Sequence, residues 1–354
     1  MSVHVTAQLP LPPGADSSPR TTAPTRPDGG PGGPRVTALG GGHGLSASLA
    51  ALRHVAGSLT AVVTVADDGG SSGTIRREMD VLPPGDLRMA LAALCDDTDW
   101  GRTWAQAMQH RFRATKLDPQ DATLDGHALG NLLIVALWEL LGDPVDGLRW
   151  AGALLRADGQ VLPVSRTPLT ISGTVLSDAD GTLRRRTVRG QVALATAAHH
   201  GHVSDVRLSP EDAPATAEAL EAIETADHVV LGPGSLFTSV LPHLLMPEVR
   251  RSLERTNAKK IFVTNLLPGE QETSGMSHTD HLRVLADHAP ELRLDTIIAD
   301  PRTVAHRERF QQAAARMGAR VVFSRVASGR DRAVHDPLRL AVAFQEAMDE
   351  PDAG

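Results

Sequence analysis

The segment VTALGGGHGLSAS, residues 36–48, joins a short apolar run to a helical pattern through the glycines Gly40, Gly41, Gly42 and Gly44. Backbone N–H groups at the start of such a helix bind anions, and the helix dipole assists them. The third glycine of a dinucleotide fingerprint would fall at Leu45, and no Gly-Lys-Ser/Thr follows as in a P-loop. The segment therefore predicts either an anion-binding loop of another kind or a plain strand-to-helix turn.

Short apolar runs alternate with longer helical patterns from Arg35 onward, and this rhythm predicts an α/β fold with a mainly parallel sheet. Residues 161–208 differ, because strand-like segments there flank an Asp-Gly turn and predict a small antiparallel annex. Residues 128–143 are apolar nearly all round and predict a buried central helix that ends at Gly142. The strand candidates are Val36–Leu39, Ala61–Ala66, His228–Leu231, Lys260–Thr264, Thr296–Ala299 and Arg320–Phe323.

The composition is that of a globular chain and argues against several classes of partner. The 354 residues are 41% hydrophobic and 22% charged, with a net charge of -7 and 3% aromatic residues. A negative chain with so few stacking side chains is not expected to bind nucleic acid. No apolar run reaches the roughly 18 residues of a membrane span. The single cysteine fits a reducing compartment, so we expect a cytoplasmic protein without membrane insertion.

Residues 1–34 are rich in proline, glycine, serine and threonine and lack the apolar core of a signal peptide. A segment of this composition cannot bury enough apolar surface to offset the entropy of ordering it. We therefore expect a disordered N-terminal arm over residues 1–34.

Two acidic residues end the second predicted strand, in TVADDGGSSG, residues 64–73. In nucleotide-binding α/β units, an acid about 20 residues after the glycines holds a ribose hydroxyl. Asp67 and Asp68 are alternatively ligands for a divalent cation such as Mg²⁺, or one of them caps the following turn. Two acids followed by Gly70, Ser71 and Ser72 are more than a turn requires, so the whole segment is a candidate for ligand binding.

Two further segments place polar side chains at predicted helix starts. In LPPGDLRMAL, residues 82–91, Asp86 is a suitable N-cap, and Arg88 lies in the first turn, where the dipole disfavours a cation. Arg88 is therefore expected to face an anion, either the carboxylates around Asp86 or a ligand phosphate. In DGHALGN, residues 125–131, Asn131 needs a partner if buried, through a core hydrogen bond or through a ligand.

A second glycine loop follows the strand His228–Leu231, in ADHVVLGPGSLFTSVLPHLL, residues 226–245. It contains Gly232, Gly234 and Ser235, with Thr238 near the start of the next helix. Open sheets bind ligands at the carboxyl ends of their strands, where both glycine loops would lie. The two loops thus predict one extended ligand that is held from two sides.

A resemblance to the YvcK family of gluconeogenesis factors, in the CofD-like superfamily, is carried by the segments GGGHGL, VADDGGSSG, LPPGDLR, DGHALGN, ADHVVLGPGSLFTSVLPHLL, TNL and DHL. The resemblance covers about residues 35–345. It implies a Rossmann-like three-layer α/β/α sandwich that forms one domain over residues 35–350, with Asn265 of TNL in the ligand site. The chain departs from the family pattern at three places: His43 stands where threonine is usual, Gln191 where an acid is common, and GEQET, residues 269–273, where relatives read like Gln-Pro-Gly-Glu-Thr.

The resemblance implies two alternative functions. In the YvcK branch it implies a regulatory protein that binds a UDP-sugar or similar nucleotide, acts with protein partners, and supports cell shape and envelope synthesis on gluconeogenic carbon sources. In the transferase branch it implies Mg²⁺-dependent transfer of 2-phospho-L-lactate to a deazaflavin, for which Asp68 would hold the metal. The sequence supplies no obvious general base or deazaflavin pocket, which favours the binder, and the missing third glycine disfavours a plain NAD-binding protein.

Overall fold

The computed structural model describes residues 33–114, 123–179, 182–198, 201–267, 273, 275–329, 331 and 333–349. The expected disordered arm lies outside these residues, apart from Gly33 and Pro34. The Pro34 carbonyl accepts a hydrogen bond from the Gly57 N–H at 2.9 Å, so the described chain begins in contact with the turn before the second strand.

The main sheet has seven strands, and all neighbouring strands are parallel. Its spatial order is β10-β9-β8-β7-β1-β2-β3. The predicted α/β fold with a mainly parallel sheet is therefore confirmed. The strands are β1 (Arg35–Gly40), β2 (Ser58–Val63), β3 (Gln160–Pro163), β7 (His228–Leu231), β8 (Lys259–Val263), β9 (Thr296–Ala299) and β10 (Arg320–Phe323).

The antiparallel annex is a separate sheet of three strands in the order β5-β4-β6. Its strands are β4 (Thr170–Ala179), β5 (Thr182–Arg189) and β6 (His202–Ser209). The predicted start of the annex at residue 161 is wrong, because β3 pairs in parallel with β2 at the edge of the main sheet. Residues 161–163 are apolar and buried, as in a strand covered on both faces, and the hairpin signals that follow in the sequence obscured this.

Helices cover both faces of the main sheet. On one side α1 packs on β1 and β2 and against α3 and α13, and on the other α8 packs on β1 and β3 and against α10. Among the described residues, no helix has both the length and the apolar character needed to cross a membrane. The helices are α1 (Gly42–Leu52), α2 (Gly70–Met79), α3 (Gly85–Ala93), α4 (Asp99–Gln109), α5 (Leu129–Leu141), α6 (Pro144–Leu155), α7 (Gln191–Ala198), α8 (Ala217–Thr225), α9 (Leu241–Leu245), α10 (Pro247–Arg255), α11 (His278–His288), α12 (Arg307–Arg316) and α13 (Pro337–Asp349), with a π-helical turn at Leu236–Val240.

Helix α5 is not the buried central helix that its composition predicts. It ends at Gly142 as expected, with φ +73° in the left-handed region. Its inner side packs against α3, α4 and α6, whereas Ala136 and Leu140 on its outer side are exposed. The apolar pattern identified the helix and its C-cap, but an outer face that remains apolar looks the same in sequence as a buried one.

The strand order reverses between β1 and β7, which are neighbours in the centre of the sheet. From β1 the chain builds β2 and β3 to one side, and from β7 it builds β8, β9 and β10 to the other. In open parallel sheets, the crevice at such a reversal is where ligands bind. The loops that follow β1 and β7 are the two glycine loops.

Candidate functional site

The two glycine loops are in direct contact at the carboxyl ends of β1 and β7. A Cβ atom added at Gly44 would lie 2.2 Å from the Pro233 carbonyl oxygen and 2.7 Å from Gly234 Cα. The Ser48 hydroxyl in α1 donates to the Gly232 carbonyl at 2.7 Å. Only glycine at position 44 allows this approach, so the two loops form one continuous backbone surface.

The second loop is fixed by side chains of its own and of the neighbouring strand. The Gly234 N–H donates to Oδ1 of Asn265, just after β8, at 2.9 Å. The Ser235 hydroxyl accepts from the Thr238 N–H at 3.1 Å and is also bonded to the Thr238 hydroxyl. In this structure Ser235 therefore caps the π-helical turn, and Asn265 orients the loop.

The N-terminus of α1 is an open backbone site. Gly41 is its N-cap residue, and neither a capping side chain nor an acidic residue occupies its first turn. Gly42 has φ +59°, and the nearest atom to a Cβ added there is Oδ1 of Asp86 at 3.8 Å. His43 is exposed. Unsatisfied N–H groups and the positive end of the helix dipole make this position suitable for an anion.

The sequence predicted that Asp86 caps its own helix, and this prediction is wrong. Pro84 is the N-cap of α3, and Asp86 accepts a hydrogen bond from the Gly42 N–H of the first loop instead. Its Oδ2 atom is buried and has no hydrogen-bond partner among the described residues. Because the Pro-Pro-Gly segment already starts α3, the Asp86 carboxylate is not needed as its cap and is directed toward α1.

The buried carboxyl group of Asp86 and the half-buried one of Asp67 lie near each other beneath the first loop. Burial raises the pKa of Asp86 to about 7, and the charge of Asp67 adds to this rise. Burial likewise raises the pKa of Asp67, opposed by hydrogen bonds from the Gly69 N–H and the Ser72 hydroxyl. The Ser72 hydroxyl oxygen in turn accepts from the Gly85 N–H at 3.0 Å. The two carboxyl groups thus lie near each other, and their hydrogen bonds do not fully offset the cost of burying two negative charges.

Asp68, the neighbour of Asp67, faces the annex. Its Oδ1 atom accepts from the Val192 N–H at the start of α7 at 3.0 Å. Asp67 accepts from the Gly69 N–H at 2.9 Å, as expected for a turn-capping acid. Gly70 follows with φ +46° and open space around its Cα, at the start of α2. The two acids therefore divide their roles between the loop and the annex.

The hydrogen bonds of Arg88 in the described part of the chain go to amide and carbonyl oxygens and not to a carboxylate. Its Nε donates to Oδ1 of Asn131 at 2.9 Å, and its Nη1 bonds Gln109 and approaches the Met108 carbonyl at 3.5 Å. Burial and the charge of the nearby Arg111 together lower the pKa of Arg88 to about 10, against the opposing effect of the Asp86 and Asp67 carboxylates. Arg88 lies in the first turn as predicted, and the carboxylates of Asp86 and Asp67 act on it through their charge and not through a hydrogen bond. A ligand phosphate as its partner stays a prediction.

Asn131 completes a buried polar network. Its Nδ2 donates to the Ser71 hydroxyl oxygen at 3.0 Å, and that hydroxyl lies 3.1 Å from Nδ1 of His127. Of the two partners that the sequence left open for Asn131, the structure supplies the core hydrogen bonds. Ser71 thereby ties the start of α2 to the start of α5.

Arg76 on α2, which the sequence did not single out, faces the acidic segment. Its Nη1 approaches the Asp67 carbonyl at 3.5 Å, and its Nη2 donates to the Thr170 hydroxyl of β4 at 3.0 Å. Gln191, at the departure from the family pattern, has a buried Oε1 without a partner in the described part of the chain. Nothing in the local sequence marks Arg76 as a contact residue. Only the fold reveals that its side chain links the acidic segment to the annex.

The described residues contain no group of three or more His, Cys, Asp or Glu side chains that could hold a metal ion. Mg²⁺ does not require such a cage, because it commonly uses one or two carboxylates together with water and substrate phosphates. Oδ2 of Asp86 is buried without a partner among the described residues, and Asp67 lies near enough for the two charges to interact, so both side chains offer carboxylate oxygens for such a donor set. Asp68 as a metal ligand stays a prediction.

Comparisons with known proteins give one consistent result. The family model described as 2-phospho-L-lactate transferase CofD matches residues 36–331. A Mycobacterium tuberculosis protein named "Putative gluconeogenesis factor" is 47% identical over 87% of this chain and 89% of its own length. The "Gluconeogenesis factor" of Halalkalibacterium halodurans is 38% identical over 74% of this chain and 76% of its own. A crystal structure of a UPF0052 family protein from Bacillus halodurans, 32% identical, superposes with a TM-score of 0.76 over 89% of this chain and 99% of that one.

Proposed function

Because the chain belongs to the CofD family, and within it to the gluconeogenesis factors, we propose that it is a cytoplasmic regulatory protein that binds a nucleotide-sugar of the UDP-sugar type. The observation that carries this proposal is the contact between Gly44 and the Pro233–Gly234 backbone at the strand-order reversal. A diphosphate at this point would lie against the backbone of both loops at once, with donors from the N-terminus of α1. Through its ligand and protein partners, the chain would act in cell shape and envelope synthesis on gluconeogenic carbon sources.

The diphosphate would lie beside Gly42, because the first loop is open there and the N-cap residue Gly41 has no side chain. The Gly42 N–H itself donates to Asp86, so the donors would be the N–H groups that follow it in the first turn. Gly70, with open space around it, lines the same side. Only Oδ1 of Asp68 accepts from the Val192 N–H, and its Oδ2 atom would accept a hydrogen bond from a ribose hydroxyl. Asn265 and Ser235 would act by holding the second loop in place.

Asp67 and Asp86 would hold a Mg²⁺ ion beside the phosphates. The ion supplies positive charge where two carboxylates and a diphosphate meet. Asp86 must lose its proton for this, and its pKa of about 7 makes that loss easy near neutral pH. In the absence of the ion, the Asp86 proton relieves the same repulsion.

A thermal-shift panel of UDP-sugars, GDP and NAD, each with Mg²⁺ or with chelator, tests the proposal. We expect the largest stabilisation from a UDP-sugar with Mg²⁺, because a ligand at 100 times its Kd stabilises the folded state by about 2.7 kcal/mol. Equal stabilisation by NAD would contradict it. Stabilisation by GDP alone, with no response to UDP-sugars, would favour the transferase branch.

The second candidate function is Mg²⁺-dependent phospholactyl transfer to a deazaflavin. The paired carboxyl groups of Asp67 and Asp86 favour it, because phosphoryl chemistry depends on a metal held beside the phosphates. We expect nucleotide binding without transfer, since the described site offers no side chain placed as a general base. Turnover by the wild type that disappears in Asp67→Asn would establish the transferase instead.

A further inference from the structure

The side chains of Arg88, Asn131, Ser71 and His127 form one chain of hydrogen bonds between α3 and the starts of α5 and α2. A guanidinium group can only donate, so the bond from Nε of Arg88 at 2.9 Å requires Oδ1 of Asn131 as its acceptor. The Asn131 amide is thereby oriented, and its Nδ2 donates to the Ser71 hydroxyl oxygen at 3.0 Å. The direction of donation therefore runs from α3 toward Ser71.

The Ser71 hydroxyl continues this direction to His127. Its oxygen also accepts from the Ala128 N–H at 3.3 Å, so N–H donors occupy both of its lone pairs. The hydroxyl proton is then left for Nδ1 of His127, which lies 3.1 Å from the oxygen. A neutral imidazole has one acceptor nitrogen and one donor nitrogen. The network thus assigns the acceptor to Nδ1 of His127 and the proton to its Nε2.

The protonated nitrogen of His127 is available to a ligand. In the described part of the chain Nε2 has no hydrogen-bond partner, and the residue is half-buried. Backbone hydrogen bonds fix the position of His127, because its N–H donates to the Leu124 carbonyl at 3.1 Å and its carbonyl accepts from the Phe112 N–H at 3.0 Å. His127 therefore carries a fixed hydrogen-bond donor that no described residue uses.

Two arginines make the surroundings of this donor favourable for an anion. Arg88 is buried, and Arg111 donates to the carbonyl of Gly126, the residue before His127, at 2.8 Å. The hydrogen bonds of both guanidinium groups within the described residues go to uncharged oxygens. A buried cation without a hydrogen-bonded carboxylate is stabilised by a bound anion. The region therefore offers positive charge as well as a directed N–H group.

His127 lies beside the part of the candidate site that is open at Gly70. Ser71 directly follows Gly70 in α2, and the next hydroxyl, that of Ser72, bonds Asp67. On the basis of the proposed function, we propose that His127 donates its Nε2–H to an anionic oxygen of the ligand's diphosphate, and that Ser71 is the positioning residue that fixes this tautomer. Because Nδ1 already accepts from Ser71, His127 binds the ligand and does not take a proton from it.

Long-range ¹H–¹⁵N NMR spectra of the labelled full chain read the tautomer directly, with His127→Asn to assign the ring resonances. We expect the Nε2–H form alone in the free protein and a mixture of tautomers in Ser71→Ala, which removes the donor to Nδ1. Addition of UDP-glucose, or of inorganic pyrophosphate, should shift the Nε2 resonance of His127. A wild type that populates the Nδ1–H form, or an Nε2 resonance unchanged by a bound ligand, would overturn the proposal.

Two substitutions separate binding from a purely structural role of His127. Asparagine carries an amide oxygen near the position of Nδ1 and keeps the bond from Ser71, whereas glutamine carries an N–H group near the position of Nε2. We expect His127→Asn to keep the thermal midpoint of the wild type and to lose about tenfold in UDP-glucose affinity, and His127→Gln to bind within about threefold of the wild type. His54→Asn is the matched control, because His54 is exposed beyond the other end of α1, and it should bind as the wild type does.

The outcomes distinguish this proposal from the proposed function. If UDP-glucose binds His127→Asn as tightly as the wild type, His127 only ties α5 to α2, and the proposal is overturned while the proposed function stands. If UDP-glucose does not bind but pyrophosphate shifts the Nε2 resonance of His127, the proposed function fails and the anion contact stands. Binding of neither probe overturns both.

Discussion

Asp68 and Val192 join the main domain to the annex through one hydrogen bond, in which the Val192 N–H donates to Oδ1 of Asp68 at 3.0 Å. A Cβ atom at Gly190 would lie 2.2 Å from the other carboxylate oxygen, so glycine is required where the annex strand meets this acid. The carboxylate lies at the start of α7, where the helix dipole favours negative charge. One acid in the candidate site thus also positions the annex.

Replacement of Asp68 can separate these two roles. Asp68→Asn keeps an oxygen that accepts from Val192, and asparagine caps helices as well as aspartate does. We expect unchanged urea stability but a loss of roughly 1.5–3 kcal/mol in UDP-sugar affinity, because the charged hydrogen bond to the ligand is lost. Asp68→Ala should also lose about 1 kcal/mol of stability. Unchanged affinity in Asp68→Asn, by calorimetric titration, would show that Asp68 serves only the annex.

Gly42→Ala should prevent nucleotide binding while leaving the protein folded. The new methyl group would point into the open space at the α1 N-terminus, where the phosphate is proposed to bind. The left-handed backbone costs about 1–3 kcal/mol in stability for any residue with a side chain. Gly142→Ala is the matched control, because Gly142 has φ +73°, nothing within 4 Å, and a position at the far end of α5. Equal affinities in the two variants, measured by titration, would identify the first loop as a structural turn.

Asn131→Ala should lower the free energy of unfolding by roughly 1–3 kcal/mol in the absence of any ligand. The substitution leaves Nε of the buried Arg88 without its acceptor, and the Ser71 hydroxyl loses one of its partners but keeps His127 and the Ala128 N–H. Urea denaturation with and without nucleotide measures the effect. A variant as stable as the wild type, but with weakened binding, would indicate that Asn131 contacts the ligand instead.

Asp86 should make the protein less stable as the pH rises toward neutrality. Its folded pKa of about 7 lies above the ordinary value of 3.8, so the native state binds the proton more tightly than the unfolded chain does. The stabilisation is complete below the ordinary pKa and is lost as the pH rises through about 7, by at most about 1.4 kcal/mol per pH unit.

Urea denaturation between pH 5 and pH 8 measures this dependence. Asp86→Asn should remove most of the slope and should be the more stable protein at the upper end of the range. Asp99→Asn, whose carboxylate is 99% exposed, serves as the control and should retain the wild-type slope. A slope that persists in Asp86→Asn would assign it to another group.

The sequence was sufficient for six of the seven strands of the main sheet, all but β3, and for placing both glycine loops at the same edge. Strands such as His228–Leu231 and Thr296–Ala299 have the bounds that their apolar runs predict, because buried parallel strands are apolar on both faces. The positions of Gly40–Gly44 and Gly232–Gly234 after two such strands were enough to place them at one edge. In a parallel sheet the carboxyl ends of all strands lie at the same edge. The two loops could therefore be placed together without knowing how the helices pack.

The direction of individual side chains could not be predicted. Asp86 reads as an N-cap from its local sequence, yet it reaches across to the Gly42 N–H of another helix. Arg88 bonds an amide that follows it by 43 residues. Such contacts depend on how α1, α3 and α5 pack together, and one sequence does not specify that packing.

The position of β7 beside β1 also constrains the order in which this protein can fold during synthesis. β1 ends at Gly40 and pairs with β2 on one side, but β7, its neighbour on the other side, begins only at His228. The ribosome must therefore produce most of the domain before the centre of the sheet closes. Until then, one edge of an apolar strand presents unpaired N–H and carbonyl groups, which are a template for aggregation. Nascent chains that stop before His228 should therefore require chaperones, and no nucleotide could rescue them, because the second half of its binding surface does not yet exist.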